Sequence, residues 1–221
     1  MEMTHTNNSI EEQRLSLQNM LDAEKSQHDR NRLGQFATPT ILARDIVTYS
    51  LELLPAQTPV RFLDPAIGTG SFYSALLAAG AAPRIVTAEG YEVDPHYEAP
   101  TRSLWADTVL KLHLADFTKT APPADEDRFN LLICNPPYVR HHHLKNGEKV
   151  RLQSMSKAVF GAQLGGLAGL YCYFLALSHP WMSPGGVAGW LIPSEFMDVN
   201  YGQAVKRYLL DKVTLLRIHR F

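Results

Sequence analysis

Four short apolar runs in this chain each end in a polar side chain, and the runs alternate with stretches of helical character. Val60 to Leu63 leads into Asp64. The stretch from Arg84 through Ala88 leads into Glu92, Val109 to Leu114 into Asp116, and Phe129 to Cys134 into Asn135. Helices are expected between them, at Phe72 to Ala79 and over 96–105. Strand, helix and strand in alternation imply βαβ units and a mostly parallel central sheet flanked by helices, an α/β fold. In such a sheet ligands sit beyond the carboxyl ends of the strands. Asp64, Glu92, Asp116 and Asn135 are therefore expected on one rim of one sheet.

The rest of the chain is punctuated less sharply. A helix is expected over 9–30, from the partial periodicity of Leu15, Leu17, Met20 and Leu21. A break at Gly34 divides the chain into an N-terminal helical segment, 1–33, and a main domain, 34–221. Thr38 reads as an N-cap and Pro39 as the first turn of a helix running from Thr40 to Leu54. Residues 141–163 read as a polar loop. Leu170 to Met182 reads as a helix with Tyr171 and Phe174 facing the core; Trp181 also reads as core. Pro184-Gly185-Gly186 reads as a turn before a fifth strand, Val187 to Ile192. A helix over 200–210 and a sixth strand, Val213 to Ile218, complete the reading.

The fourth strand leads into Asn135-Pro136-Pro137-Tyr138. Two prolines fix φ and remove two backbone donors, so the turn is stiff. Its carbonyls and the Asn135 amide stay free to accept hydrogen bonds, and Tyr138 offers a flat face beside them. Amide acceptors next to a stacking ring suit a planar ring that carries an amino group, adenine above all.

After the first strand comes Asp64-Pro65-Ala66-Ile67-Gly68-Thr69-Gly70-Ser71. A pyrophosphate site needs closely approaching amides at a helix start. An acid four residues before the first glycine would repel that anion and suit a cation. Glu92 lies 22 residues past Gly70, close to the spacing of about 20 at which an acid meets ribose hydroxyls. A ligand with a ribose, a positive centre and no phosphate is S-adenosylmethionine.

Composition narrows the setting. The formal net charge is −1, so nucleic acid binding would rest on local patches. One candidate is Arg140, Lys145, Lys149, Arg151 and Lys157, opposed by Glu148. No apolar run nears the roughly 20 residues that span a membrane, and no signal peptide is visible. Cys134 and Cys172 lie in apolar segments without metal-ligand spacing, which points to a reduced, cytoplasmic setting. His141-His142-His143 invites a metal reading, but three consecutive imidazoles do not readily close a tetrahedral site. No metal and no membrane partner is expected.

At these residues the chain resembles the class I S-adenosylmethionine-dependent methyltransferases. Within them it is similar to the gamma-type DNA adenine-N6 methyltransferases of restriction–modification systems. The resemblance implies a Rossmann-like fold. Gly34 to Pro39 resembles the family's motif before the glycine turn, with Thr38 near the methionine end of the cofactor. Asp64, Ala66, Gly68 and Gly70 would form the cofactor loop, and Glu92 the ribose acid. Asp116 and Phe117 would recognise the cofactor's adenine. Asn135, Pro136, Pro137 and Tyr138 match the catalytic tetrapeptide fully. The substrate implied is double-stranded DNA, with the target adenine flipped out.

The family continues past a sixth strand into a hairpin and a target recognition domain, for which no segment remains here. The expectation is an incomplete C-terminal strand hairpin, and a truncated chain or a recognition subunit supplied by a partner. Two other readings stay open: a same-fold methyltransferase acting on RNA or on a protein glutamine, and a non-catalytic subunit that binds S-adenosylmethionine or DNA.

Overall fold

The computed structural model describes residues 2–140, 144 and 146–220, with side chains from residue 10 onward. The triple histidine 141–143 and Lys145 lie outside the described residues. The chain forms α1 (Glu2–Ala23), α2 (Gln27–Leu33), α3 (Thr40–Glu52), β1 (Val60–Asp64), α4 (Ser71–Ala78), β2 (Ile85–Glu92), α5 (Pro95–Leu104) and β3 (Leu110–Leu114). Then come β4 (Phe129–Cys134), α6 (Asn146–Phe160), α7 (Leu170–Ser178), β5 (Met182–Trp190) and α8 (Gln203–Asp211).

The sheet has the order β3-β2-β1-β4-β5, and every pairing is parallel. Successive side chains along each central strand enter opposite faces. Phe62, Leu131 and Ile133 join Val47, Phe72, Tyr73 and Trp105 on the side of α3, α4 and α5. Leu63, Leu132 and Cys134 join Tyr91, Phe117, Phe174 and Trp181 on the side of α6, α7 and α8. Burial on both faces explains why β4 reads as a continuous apolar run rather than an alternating one. The strand order reverses direction between β1 and β4, so the crevice above those two strands is the place where an α/β sheet binds ligands.

Several expected elements differ. The long N-terminal helix is two helices: Ser26 caps α2 by accepting from the Asp29 amide, and the break turns the chain. Thr38 does not cap α3; Pro39 takes that position, and the Thr38 hydroxyl is engaged elsewhere. Residues 141–163 are not a loop throughout, because α6 occupies 146–160. Its buried residues Leu152, Ser156 and Phe160 recur every fourth position, the spacing of one helix face. The helix from Leu170 ends at Ser178, where Pro180 enters a 3₁₀ turn, and β5 begins at Met182. The Pro184-Gly185-Gly186 turn is a bulge within β5, with Gly185 at φ 75°. The expected helix over 200–210 is a 3₁₀ turn, Asn200–Gly202, followed by α8.

The sixth strand does not form. Residues 214–220 carry no regular structure, and Leu215, Leu216 and Ile218 are exposed. A strand exists only in a ladder, and among the described residues none pairs with this segment.

Candidate active site

A cavity of about 230 Å³ opens at the carboxyl ends of β1, β2, β3 and β4. Of the residues singled out by sequence, Thr38, Asp64, Ala66, Gly68, Glu92, Asp116, Phe117, Asn135 and Pro137 line it. Gly70, Pro136 and Tyr138 are not among its lining residues.

The glycine turn is held from several sides. The Ile67 amide donates to the Tyr91 carbonyl at 2.9 Å, tying the turn to β2. Trp105 Nε1 donates to the Thr69 carbonyl at 3.0 Å, and the Thr101 hydroxyl to the Gly68 carbonyl at 3.1 Å. Gly70 caps α4 at φ 88°, where a Cβ would stand 2.7 Å from Trp105 Nε1. Both the left-handed backbone and the indole exclude a side chain there.

Two buried acids face this turn. Asp64 is 1% exposed, and its Oδ1 accepts from the Ala66 amide at 3.1 Å. Burial, with Glu92 nearby, raises its pKa to about 8. Glu92 is also buried and accepts from the Asp94 amide at 2.8 Å. Burial, with the charge of Asp94, raises it to about 7, against the lowering effect of backbone amides. Desolvation penalises the charged form of each carboxyl, and a cation brought into the cavity would reverse that.

Asp116 is different. Burial raises its pKa, but hydrogen bonds from Lys119 and Thr118 outweigh that and hold it below the usual range. Its Oδ1 accepts from the Thr118 amide at 3.0 Å and the Thr118 hydroxyl at 2.7 Å; Lys119 reaches Oδ2 at 2.9 Å. Phe117 beside it is buried, stacked on Phe174 at 5.7 Å and against Trp181 at 4.9 Å. Tyr171, Phe174 and Trp181 are core, as expected from sequence.

The amide half of the site is built by two segments far apart in sequence. Gly34 ends α2 at φ 65°, and its carbonyl accepts from the Tyr138 amide at 3.2 Å. A Cβ on Gly34 would lie 2.4 Å from that nitrogen, so the two chains touch backbone to backbone. Asn135 Nδ2 donates to the Phe36 carbonyl and to the Thr38 hydroxyl, both at 3.1 Å. Because a carbonyl can only accept, the nitrogen must lie on that side, which fixes the amide's orientation. Asn135 Oδ1 is thereby turned the other way. It is shielded from solvent and has no hydrogen-bond partner among the described residues. Tyr138 donates its hydroxyl to the Leu191 carbonyl at 3.0 Å, and its ring lies 5.7 Å from that of Phe36.

One wall was not legible in the sequence. Gln18 and Asp22 of α1 line the cavity. Arg14, 1% exposed, pairs with Glu11 and donates to the Thr69 hydroxyl at 3.1 Å; that hydroxyl donates to Gln18 at 2.6 Å. Glu11 also accepts from Ser74 and from Thr40; burial raises its pKa, but Arg14 above all, with Ser74 and Thr40, holds it down at about 2. The signal was a polar stripe at helical spacing, Glu11, Arg14, Gln18 and Asp22, while the apolar Leu15 and Met20 are exposed. The expected basic patch is also smaller than it reads, since Arg151 pairs with Glu148.

The sheet, its switch-point crevice and the glycine turn define the class I methyltransferase fold. The structure superposes with a TM-score of 0.69 on a Listeria monocytogenes protein described as a class I S-adenosylmethionine-dependent methyltransferase. The match is 19% identical and covers 92% of this chain and 59% of that one. It superposes at 0.65 on the methyltransferase subunit of a type I restriction–modification system from Streptococcus thermophilus, 18% identical over 80% of this chain and 39% of that one. Residues 93–221 match the Eco57I restriction-modification methylase model, and the chain belongs to that family. Among curated relatives, the type II methyltransferase M.XamI of Xanthomonas campestris pv. amaranthicola is 33% identical over 87% of this chain, and M.AccI of Acinetobacter calcoaceticus 28% over 86%. The chain spans about a third of the length of these relatives, 36% and 33%.

Proposed function

We propose that this chain binds S-adenosylmethionine and transfers its methyl group to the N6 amino group of an adenine flipped out of double-stranded DNA. The observation that carries the reading is the Asn135 amide. Its nitrogen is clamped by Phe36 and Thr38, and its shielded oxygen has no donor among the described residues. A buried acceptor without a donor costs roughly 1–3 kcal/mol, and an exocyclic amino group would repay it.

The residues present fit the cofactor. Asp64 and Glu92 give the cavity two buried carboxyls suited to a cation and a ribose diol, and unsuited to a pyrophosphate. In this reading Asp64, the Ala66 backbone, Gly68 and Thr38 hold the methionine end, Gly70 keeps the turn in shape, Glu92 holds the ribose, and Asp116 with Phe117 holds the adenine. S-adenosylmethionine, when bound, supplies a methyl group on a sulfonium, which needs no further activation.

The chain's own part is to make a poor nucleophile into a good one. The lone pair of an adenine amino group is delocalised into the ring. Accepting its two hydrogens at the Asn135 oxygen and the Pro136 carbonyl draws the nitrogen toward a tetrahedral shape and localises that pair. Pro137 stiffens the turn and Tyr138 stacks on the base. Flipping the base out costs a few kcal/mol, which stacking helps offset. Positioning supplies most of the acceleration. Readout of a target sequence would come from a recognition domain or partner subunit outside this chain, in a cytoplasmic setting.

Incubation with labelled S-adenosylmethionine and an adenine-containing duplex tests the reading. Label on N6 of adenine supports it. Label on RNA or on protein glutamine, with none on DNA, would replace the substrate, and binding without transfer to any of them would favour a non-catalytic subunit.

A further inference from the structure

The helix that follows the tetrapeptide reaches the turn that carries the acid assigned to the cofactor's adenine. Arg151 of α6 donates from Nη1 to the Thr118 carbonyl at 2.7 Å and from Nη2 to the Thr118 hydroxyl at 2.9 Å. Glu148, one turn earlier, holds the other edge of the guanidinium. Thr118 is buried, and its hydroxyl passes its own hydrogen to Asp116 Oδ1 at 2.7 Å. The hydroxyl has one hydrogen to give. An arginine that donates to its oxygen therefore commits that hydrogen to Asp116, and the two contacts on Thr118 fix the turn that carries both Asp116 and Phe117.

We infer that Arg151 is a positioning residue for recognition of the cofactor's adenine: through the Thr118 hydroxyl it orients the Asp116 carboxylate to accept from the 6-amino group. The inference rests on the reading that this cavity takes S-adenosylmethionine. A guanidinium fork suits the task, since its planar donors bind two acceptors in fixed geometry, whereas lysine offers a single point. Asp116 keeps acceptor capacity for a further donor, because Oδ2 meets only Lys119 among the contacts described. Arg151 itself need not touch the ligand.

The test compares affinities for S-adenosylhomocysteine and for its inosine counterpart, in which an oxo group replaces the 6-amino group. Both ligands are unreactive and differ in the base alone, at the 6-substituent and at N1, which carries a hydrogen in the oxo form. The wild-type chain is expected to prefer the amino ligand. Arg151→Met is expected to shrink that preference about tenfold, as loss of a charge-assisted contact would. Thr118→Val should shrink it similarly, and Arg151→Lys should restore part. A variant that is merely less stable would weaken both ligands equally and leave the ratio unmoved. An unchanged ratio in Arg151→Met overturns the inference even if both affinities fall. So does a ratio lost in Thr118→Val but kept in Arg151→Met. A folded wild type that binds neither ligand overturns the cofactor reading and this inference together, and one that binds both equally removes Asp116 from adenine recognition.

Discussion

The two halves of the cavity are incomplete in opposite senses. On the side of β1 and β2, Asp64 and Glu92 are buried acids whose ionised forms have too little positive charge around them. On the side of β4, the Asn135 oxygen is a neutral acceptor without a donor among the described residues. The first half asks for charge and the second for a hydrogen bond. A pocket shaped for one small ligand would seldom combine both demands. In the proposed reading two ligands meeting above the switch point would satisfy each half separately, at the boundary between Asp64 and Asn135, the residues at the ends of adjacent strands.

Breaking the amide half should give the largest effect. Asn135→Ala removes the acceptor and the clamp on Phe36 and Thr38. Methyl transfer is expected to fall by at least about a thousandfold, in line with deletion of a preorganised polar group that acts in the transition state. Cofactor affinity should stay within about threefold, because no acid is touched. Single-turnover rates and calorimetry on the same variant check both. Equal activity would remove Asn135 from the chemistry, and a parallel loss of cofactor binding would dissolve the division into halves.

Glu92→Ala attacks the other half. It is expected to weaken cofactor binding by about 1–3 kcal/mol through lost charged hydrogen bonds to the ribose. The rate at saturating cofactor should change much less. An unchanged dissociation constant would refute the ribose assignment.

What the sequence disclosed follows the same divide. Strand ends carry residues whose chemistry is local, so Asp64, Glu92, Asp116 and Asn135 could be placed on one rim from the alternation alone. The parallel order β3-β2-β1-β4-β5 agrees with it. Contacts between segments far apart in sequence were not legible. Nothing local says that the Phe36 carbonyl and Thr38 hydroxyl hold Asn135, which is why Thr38 read as a helix cap. Nor does local pattern reveal that α1 buries a polar stripe, since periodicity reasoning assumes that the apolar face goes inward. The same assumption hid α6, whose inward face is one leucine, one serine and one phenylalanine over three turns.

The acid half also makes a prediction about pH. A carboxyl whose folded pKa is raised holds its proton in the free cavity up to about pH 7 or 8. A cationic ligand favours the ionised form, so binding must expel that proton. Affinity for S-adenosylmethionine should therefore rise from pH 6 to 7.5, by up to about tenfold per unit for each proton released, and level off above the free pKa. Calorimetry in two buffers of different ionisation heat would count the protons. Affinity that is flat over this range, with no buffer dependence, would mean that the acids are already ionised in the free site.

The same raised pKa bears on stability with the opposite sign. Between the unfolded carboxyl range near 4 and the folded value of about 8, the native state binds the proton that the unfolded chain has lost. Stability of the ligand-free protein should therefore fall as pH rises through that window. Asp64→Asn keeps an oxygen for the Ala66 amide and removes the ionisation. It is expected to make the ligand-free chain about 1–2 kcal/mol more stable at pH 8, to change little near pH 4, and to bind cofactor more weakly. Denaturant midpoints at the two pH values check this. A variant less stable at both would mean that the Asp64 charge is compensated within the fold, and the acid half would then be complete without a ligand. The gain should be the smallest of these effects and the most informative about the comparison, because it is the only one in which damage to the site is expected to improve the fold.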